Sequence, residues 1–192
     1  MKEMRNREVN QKKLQSMKRH HNRNIGFLWR SYTRQVQELY DFEKQFLLLL
    51  SQFRAAPLKE ALHSLVADHA HQTSEHIARL EEIMKRLNIS PRAAHFRKTS
   101  HLLTKLRRFL KTPAQPQDTR HQAAILSALH KVEAFEISSY AATHSYARLL
   151  SFHDDLAPLE KSYGEEKAME QRIENFIRQQ NDPQATEFLM TA

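Results

Sequence analysis

Hydrophobic residues recur along most of this chain at alternating steps of three and four, the spacing that places them on one face of an α-helix. The clearest series runs from residue 29 to residue 53, and its apolar members are Tyr32, Val36, Leu39, Phe46, Leu50 and Phe53. Position 43 is the one vacancy in this series. The pattern predicts a first helix that buries one face in a helical bundle.

Three more segments carry the same spacing. They predict a second helix over about 57–87, a third over about 119–150 and a fourth over about 154–181. Residues 92–111 predict a shorter helical connection, and 112–118 a loop. Two hairpins joined by a crossover of about thirty residues indicate an all-α, ferritin-like, up-down four-helix bundle with the long crossover between helices two and three.

The composition agrees with a helical fold and excludes several kinds of functional site. Two glycines and six prolines in 192 residues are too few for the many tight turns of an antiparallel sheet. The chain has no cysteine, which excludes disulfides, thiolate metal sites and cysteine nucleophiles. The longest apolar run, 46–50, is too short to span a membrane. We therefore expect a cytoplasmic protein without a membrane-spanning or secretory segment.

Positive charge is concentrated at the start of the chain. The formal net charge is +8, and residues 1–34 contain ten lysines and arginines against two acids. We expect 1–26 to be a basic, flexible or loosely helical extension, 27–181 to be the bundle, and 182–192 to be a C-terminal tail. Nucleic-acid binding by the basic extension is the alternative to a role in solubility.

Five acids interrupt the apolar faces. Burying a carboxylate without a partner is costly, so such positions need a reason. The acids at these inward positions are Glu43 in the first helix, Glu133 and Glu136 in the third, and Glu166 and Glu170 in the fourth. Each group lies near the middle of its helix, and antiparallel packing would bring them to the same height.

The second helix contributes nitrogen more than carboxylate. Its inward face carries His69, Gln72, Thr73 and His76. Carboxylates that converge with an imidazole in an apolar interior repel one another unless cations or shared protons neutralise them, and two iron or manganese ions would do so. The alternative is that these acids pair with basic side chains in a bundle that binds nothing.

Four stretches resemble the bacterial YciE/YciF stress-protein family of ferritin-like bundles. They are LYDFEKQ (39–45), HAHQTSEHIARLEEI (69–83), HKVEAFEISSY (130–140) and EEKAMEQRI (165–173). The resemblance implies a ferritin-like fold, a homodimer and a di-iron or di-manganese centre in a protein linked to bacterial stress. It also implies a match at His76 and a departure at Gln72, where many relatives have Glu.

We therefore expect a metal-binding protein that handles iron, oxygen or peroxide during stress, with two ions as cofactors. The predicted metal ligands are Glu43, Gln72, His76, Glu133, Glu136, Glu166 and Glu170. Enzymatic activity is left open, with a di-metal oxidoreductase or ferroxidase-like reaction as the candidate. The alternative function is a non-catalytic interaction module whose basic segments, 1–26 and 92–111, bind an acidic partner or nucleic acid.

Overall fold

The computed structural model describes residues 2–90, 97–112, 115 and 118–181, with side chains described for 25–90, 101–112, 115 and 118–179. All regular secondary structure in these residues is helical, which confirms the predicted all-α fold. The helices are α1 (Lys2–Phe53), α2 (Glu60–Arg86), α3 (Arg97–Lys111), α4 (Thr119–Leu149) and α5 (His153–Asn181).

The four long helices pair as two hairpins. Helix α1 packs along α2, and α4 packs along α5, while α1 also contacts α4 and α2 contacts α5. The short helix α3 carries the crossover between the hairpins and lies against α1 and α4. This is the up-down bundle with one long connection that the spacing predicts.

Helix α1 begins earlier than the apolar series alone indicates. The series starts near residue 29, whereas the helix begins at Lys2 and includes 2–26. The division of the chain at residue 26 stays a prediction, and the predicted tail 182–192 lies outside the described residues.

Local signals end and start the helices as the sequence suggests. Asn88 ends α2 with a positive φ of 53°, a conformation that asparagine tolerates better than most residues. Asp118 begins α4, and its side chain accepts a hydrogen bond of 3.0 Å from the backbone N–H of His121. Asp154 and Asp155 lie in the first turn of α5, where negative charge suits the helix dipole.

The buried core consists of two apolar clusters with a polar layer between them. One cluster includes Phe46, Leu129 and Met169, and the other includes Leu39, Tyr140 and Leu159. Along every long helix the sequence passes from one cluster to the other through the buried polar positions. The inward polar residues of the four long helices therefore lie at about the same height along the bundle axis, as the sequence predicts.

Among the helices that the structure describes, none combines the length and the apolar character needed to cross a membrane.

Candidate metal centre

Six buried ionisable side chains from all four long helices meet in the polar layer. Helix α1 supplies one, α2 two, α4 two and α5 one, and each side chain is at most 1% exposed. The six residues are Glu43, His69, His76, Glu133, Glu136 and Glu166. A separation of three, four or seven residues keeps side chains on one helix face, which is why α2 and α4 each direct two groups inward.

The side chains form two overlapping groups of ligand atoms. In the first, which we call the His76 subsite, Glu43, His76 and Glu166 offer atoms within 4.8 Å of one another. In the second, the His69 subsite, the same limit holds for His69, Glu133, Glu136 and Glu166. The arrangement could hold a metal ion in either group.

Glu166 belongs to both subsites through different oxygen atoms. Its Oε1 lies 2.8 Å from His76 Nδ1, and its Oε2 lies 3.9 Å from His69 Nε2. A carboxylate whose two oxygens face two imidazoles in this way has the orientation of a bridge between two ions.

The polar atoms of this layer lack the hydrogen bonds that buried groups normally have. Eleven buried side-chain nitrogen and oxygen atoms have no hydrogen-bond partner in the described part of the chain. Ten belong to the six ionisable side chains, and the eleventh is Oγ1 of Thr73. Such atoms are rare in native proteins, since each costs about 1–3 kcal/mol or more if charged. A bound cation would satisfy carboxylate and imidazole atoms together, so the donor set fits metal ions.

Hydrogen bonds hold two of the six side chains from outside. The Tyr140 hydroxyl donates to Glu43 Oε1 at 2.6 Å. The other ring nitrogen of His76, Nε2, lies 3.1 Å from Glu165 Oε2 in a hydrogen bond. Arg79 donates two hydrogen bonds to the Glu165 carboxylate, at 2.6 and 3.2 Å. An imidazole whose outer nitrogen binds a carboxylate is the usual arrangement of a histidine metal ligand.

Burial shifts the pKa values of the carboxyl groups upward. Burial is the main cause for Glu133 and Glu136, and the charge of Glu166 adds to it, so that both pKa values lie well above the ordinary range. The pKa of Glu166 is also raised by burial, although its contact with His76 opposes the rise. Without metal, protons therefore neutralise much of this cluster.

The pKa values of the two histidines shift in opposite directions. Burial, and then the charge of His76, lowers the pKa of His69 to about 3, so this ring stays neutral and keeps a lone pair for a metal. Burial also lowers the pKa of His76, but the Glu166 and Glu43 carboxylates overcome this effect and raise the pKa to about 10. Nδ1 of His76 is close to both carboxylates without hydrogen-bond geometry, so charge proximity is the cause we favour.

The structure brings together five of the seven predicted ligands. These are Glu43, His76, Glu133, Glu136 and Glu166. Gln72 and Glu170 are half-buried and belong to neither subsite, and Glu170 Oε1 lies 3.9 Å from His130 Nε2 on the outer side of the helix pair. Ligation by Gln72 or Glu170 stays a prediction.

Three functional residues are absent from the predicted ligand set. His69 is on the inward face of α2, one heptad before His76, and this spacing is the signal that points to it. Glu165 and Arg79 have no such signal, because their role depends on how α2 and α5 align. Two imidazoles and four carboxylates make up the inventory of di-iron bundle centres, although here both imidazoles come from α2.

Four long helices with carboxylates and histidines in their shared interior place the chain in the class of all-α helical-bundle proteins. Residues 28–186 match the family described as a domain of unknown function, DUF892, and the chain belongs to this family. No curated protein matches the chain.

Two solved structures have the same fold. The crystal structure of the Escherichia coli stress protein YciF superposes with a TM-score of 0.75 at 20% identity, covering 81% of this chain and 98% of that one. YcfI from Rhodopseudomonas palustris superposes with a TM-score of 0.69 at 21% identity, covering 77% and 92%. With the family match, these similarities confirm the predicted membership in the YciF-like family and the fold.

Proposed function

We propose that this protein is a ferritin-like metal-binding protein that holds two iron or manganese ions in a carboxylate-bridged centre. The observation that carries the proposal is the set of eleven buried polar atoms without partners, ten of them on six side chains from four helices. A pair of divalent cations would coordinate these atoms and offset the repulsion among the four carboxylates. Without metal, the repulsion is relieved only when the acids bind protons and become neutral.

Each ion has its own ligands and shares one. The His76 subsite offers one imidazole and the carboxylates of Glu43 and Glu166. The His69 subsite offers one imidazole and the carboxylates of Glu133, Glu136 and Glu166. Carboxylate and imidazole donors suit iron and manganese, and the chain has no cysteine that could supply a thiolate.

The protein's own contribution is to bind, orient and enclose. Iron or manganese ions in this position would supply redox chemistry and the activation of oxygen or peroxide. The ligands are at most 1% exposed and lie between two apolar clusters, so the chain excludes bulk water from the ions. The similarity to a protein named for stress supports a role in handling iron, oxygen or peroxide during bacterial stress.

Metal analysis of protein purified without chelator tests the proposal. We expect about two ions per chain by elemental analysis, as in the dinuclear centres of this fold. Glu43→Gln and Glu166→Gln should lower the content, because an amide is a poorer ligand of nearly the same shape. Glu160→Ala is the matched control, since this α5 carboxylate is 63% exposed and faces His144. Near-zero metal in the wild type and all variants would contradict the proposal.

The predicted homodimer and cytoplasmic location remain part of the proposal. Large exposed apolar side chains on α1 support self-association. They are Ile25, Phe27 and Trp29, which are 45%, 59% and 37% exposed. Light scattering on the purified chain measures the assembly, and a mass of one chain at micromolar concentration would contradict the dimer.

A second candidate function is binding of nucleic acid through α3. Its described part carries Lys105, Arg107, Arg108 and Lys111, all exposed and without an ion pair among the described residues. Segment 92–111 contains no acid. Residues 101–112 expose no Phe, Tyr or Trp side chain, and a basic face of this kind suits contacts with phosphates rather than with bases.

Salt dependence and charge reversal test this second candidate. Affinity for a DNA duplex of arbitrary sequence should fall steeply with salt. Reversal of Arg107, Arg108 and Lys111 to Glu should weaken binding. Reversal of Lys85, Lys131 and Arg148, which are exposed on other helices, changes the net charge equally and should have less effect. Equal loss in both triple variants would show that only net charge matters.

A further inference from the structure

We propose that the two subsites hold their ions with unequal strength, so that the His76 subsite keeps a resident ion and the His69 subsite holds an exchangeable one. This inference rests on the proposed di-metal function and concerns the residues that surround the ligands.

The ligands of the His76 subsite are positioned by hydrogen bonds on the side away from the ions. Tyr140 donates to Oε1 of Glu43 at 2.6 Å, and this oxygen also lies 3.3 Å from Nδ1 of His76, while Oε2 has no hydrogen-bond partner among the described residues. Glu165 accepts from Nε2 of His76 at 3.1 Å, which leaves Nδ1 as the unpartnered nitrogen. Glu43 and His76 are therefore each held in place by one hydrogen bond from a residue outside the subsite.

The hydrogen bond to His76 is itself anchored. Arg79 holds the Glu165 carboxylate through both of its terminal nitrogens, and one of these also donates to the Ser162 hydroxyl at 2.8 Å. Arg79 is only 13% exposed, so this ion pair is less screened by water than a surface pair. The chain of contacts links α2 to α5 beside the subsite and orients the imidazole ring.

The ligands specific to the His69 subsite have no such support. Among the residues whose side chains are described, both ring nitrogens of His69 and all four carboxylate oxygens of Glu133 and Glu136 lack a hydrogen-bond partner. The His69 ring has an edge-to-face contact with Phe46, at 4.9 Å between centroids, which restricts the ring but supplies no hydrogen bond. Among the described residues, no hydrogen bond from outside the subsite fixes the tautomer of His69 or the rotation of the Glu133 and Glu136 carboxylates.

Support of this kind changes metal affinity by a known order of magnitude. Loss of an outer hydrogen-bond partner of a metal ligand typically weakens binding about 10–100-fold. In the described part of the chain, the His76 subsite has two such partners and the His69 subsite has none. The first ion should therefore bind at the His76 subsite, and the second should bind at least about tenfold more weakly and leave first.

Titration with Mn²⁺, followed by the paramagnetic resonance signal of the free ion, tests the inference. The wild type should show two binding steps separated by at least about tenfold. His69→Gln should remove the weaker step and keep the tighter one. Glu165→Ala should weaken the tighter step about 10–100-fold and leave the weaker step in place. Glu165→Gln, which retains an acceptor oxygen for His76, should restore part of the affinity.

Matched controls separate positioning from folding. Glu160→Ala removes a carboxylate on the same helix that faces His144 rather than a ligand, and it should change neither step. Tyr140→Phe removes the hydroxyl that holds Glu43 and should weaken the tighter step alone. Circular dichroism confirms that each variant folds.

The possible failures point to different conclusions. Two steps of equal affinity, or equal weakening of both steps by Glu165→Ala, would overturn the inequality of the subsites and leave the di-metal proposal standing. No Mn²⁺ or Fe²⁺ binding by the wild type would overturn the di-metal proposal, and this inference with it.

Discussion

Thr73 shows how a single buried atom distinguishes a ligand-binding layer from an ordinary core. Three serine and threonine side chains are buried in the described residues. The Thr143 hydroxyl donates to the carbonyl of Ser139 at 2.7 Å, and the Ser162 hydroxyl accepts from Arg79. The Thr73 hydroxyl has no hydrogen-bond partner in the described part of the chain and lies on the same face of α2 as His69 and His76. In the metal-free protein it therefore only costs stability.

Replacing Thr73 with valine should raise the stability of the metal-free protein. The change keeps the shape and removes an unsatisfied buried hydroxyl, whose cost is about 1–3 kcal/mol. Urea denaturation in the presence of chelator measures the free energy of unfolding. Thr143→Val is the control and should lower that free energy by about 1 kcal/mol, because a hydrogen bond is lost. A stability loss in Thr73→Val similar to that of the control would contradict this prediction.

Single residues of the centre differ in how visible they are in the sequence. Glu43, Glu133 and Glu166 are predictable because each interrupts an apolar series on its own helix. Glu165 is one position beside that series, and its partner Arg79 is far away in the chain. Their contact depends on the rotation and axial register of α2 against α5, which periodicity within one helix cannot determine.

At the scale of helices, the first turn of α5 is held to α1 and α2 by the buried carboxylate of Asp155. Asp155, only 3% exposed in its side chain, accepts from the Tyr32 hydroxyl at 2.7 Å and from Arg86 at 2.6 and 3.1 Å. Arg86 also donates to the carbonyl of Asp154 at 3.4 Å. That carbonyl is four residues before Pro158, whose ring nitrogen cannot donate a helical hydrogen bond.

Asp155→Ala should destabilise the protein by roughly 2–4 kcal/mol, because it leaves Tyr32 and Arg86 without their carboxylate partner. Asp155→Asn keeps an acceptor oxygen and should cost less. Thermal and urea unfolding measure the change, with Asp154→Ala as the neighbouring control because Arg86 contacts only the backbone of that residue. Metal content should remain unchanged, since this cluster lies at one end of the bundle. A stability equal to the wild type would show that the ion pair is not stabilising.

The helices themselves are largely predictable, and their ends are less so. The number and order of the helices can be predicted from three features of the sequence. Glycine and proline are scarce, apolar residues recur at helical spacing, and acids occur where α5 begins. The sequence also identifies Asp155 as a helix-start acid. Its second role as the buried partner of Tyr32 requires the bundle to bring this α1 residue next to the start of α5, which is a tertiary property.

For the whole molecule, the buried ionisable cluster should make stability depend on pH, and metal binding at the proposed centre should reverse this dependence. The carboxyl groups of Glu133, Glu136 and Glu166 have raised pKa values in the folded chain, and the pKa of His76 is raised to about 10. Above pH 7 the folded protein thus holds protons that the unfolded chain has lost. His69 opposes this trend only near and below its ordinary pKa of 6.5.

The free energy of unfolding of the metal-free protein should therefore fall as pH rises from 7 to 8, because stability decreases wherever the folded state binds more protons. With saturating Mn²⁺ the trend should reverse, since metal binding displaces those protons and strengthens as pH rises. Urea midpoints at the two pH values, with chelator and with Mn²⁺, measure both slopes. Parallel slopes under the two conditions would contradict the prediction.

The distribution of ligands between the two hairpins has a consequence for how the protein matures. The first hairpin, α1 and α2, contains both imidazoles and one carboxylate, while α4 and α5 contain the other three carboxylates. A nascent chain that has emerged only as far as the crossover cannot assemble either subsite. Ion capture at the proposed centre would have to wait until α5 has been synthesised and the hairpins have docked, so occupancy by metal would mark a docked bundle.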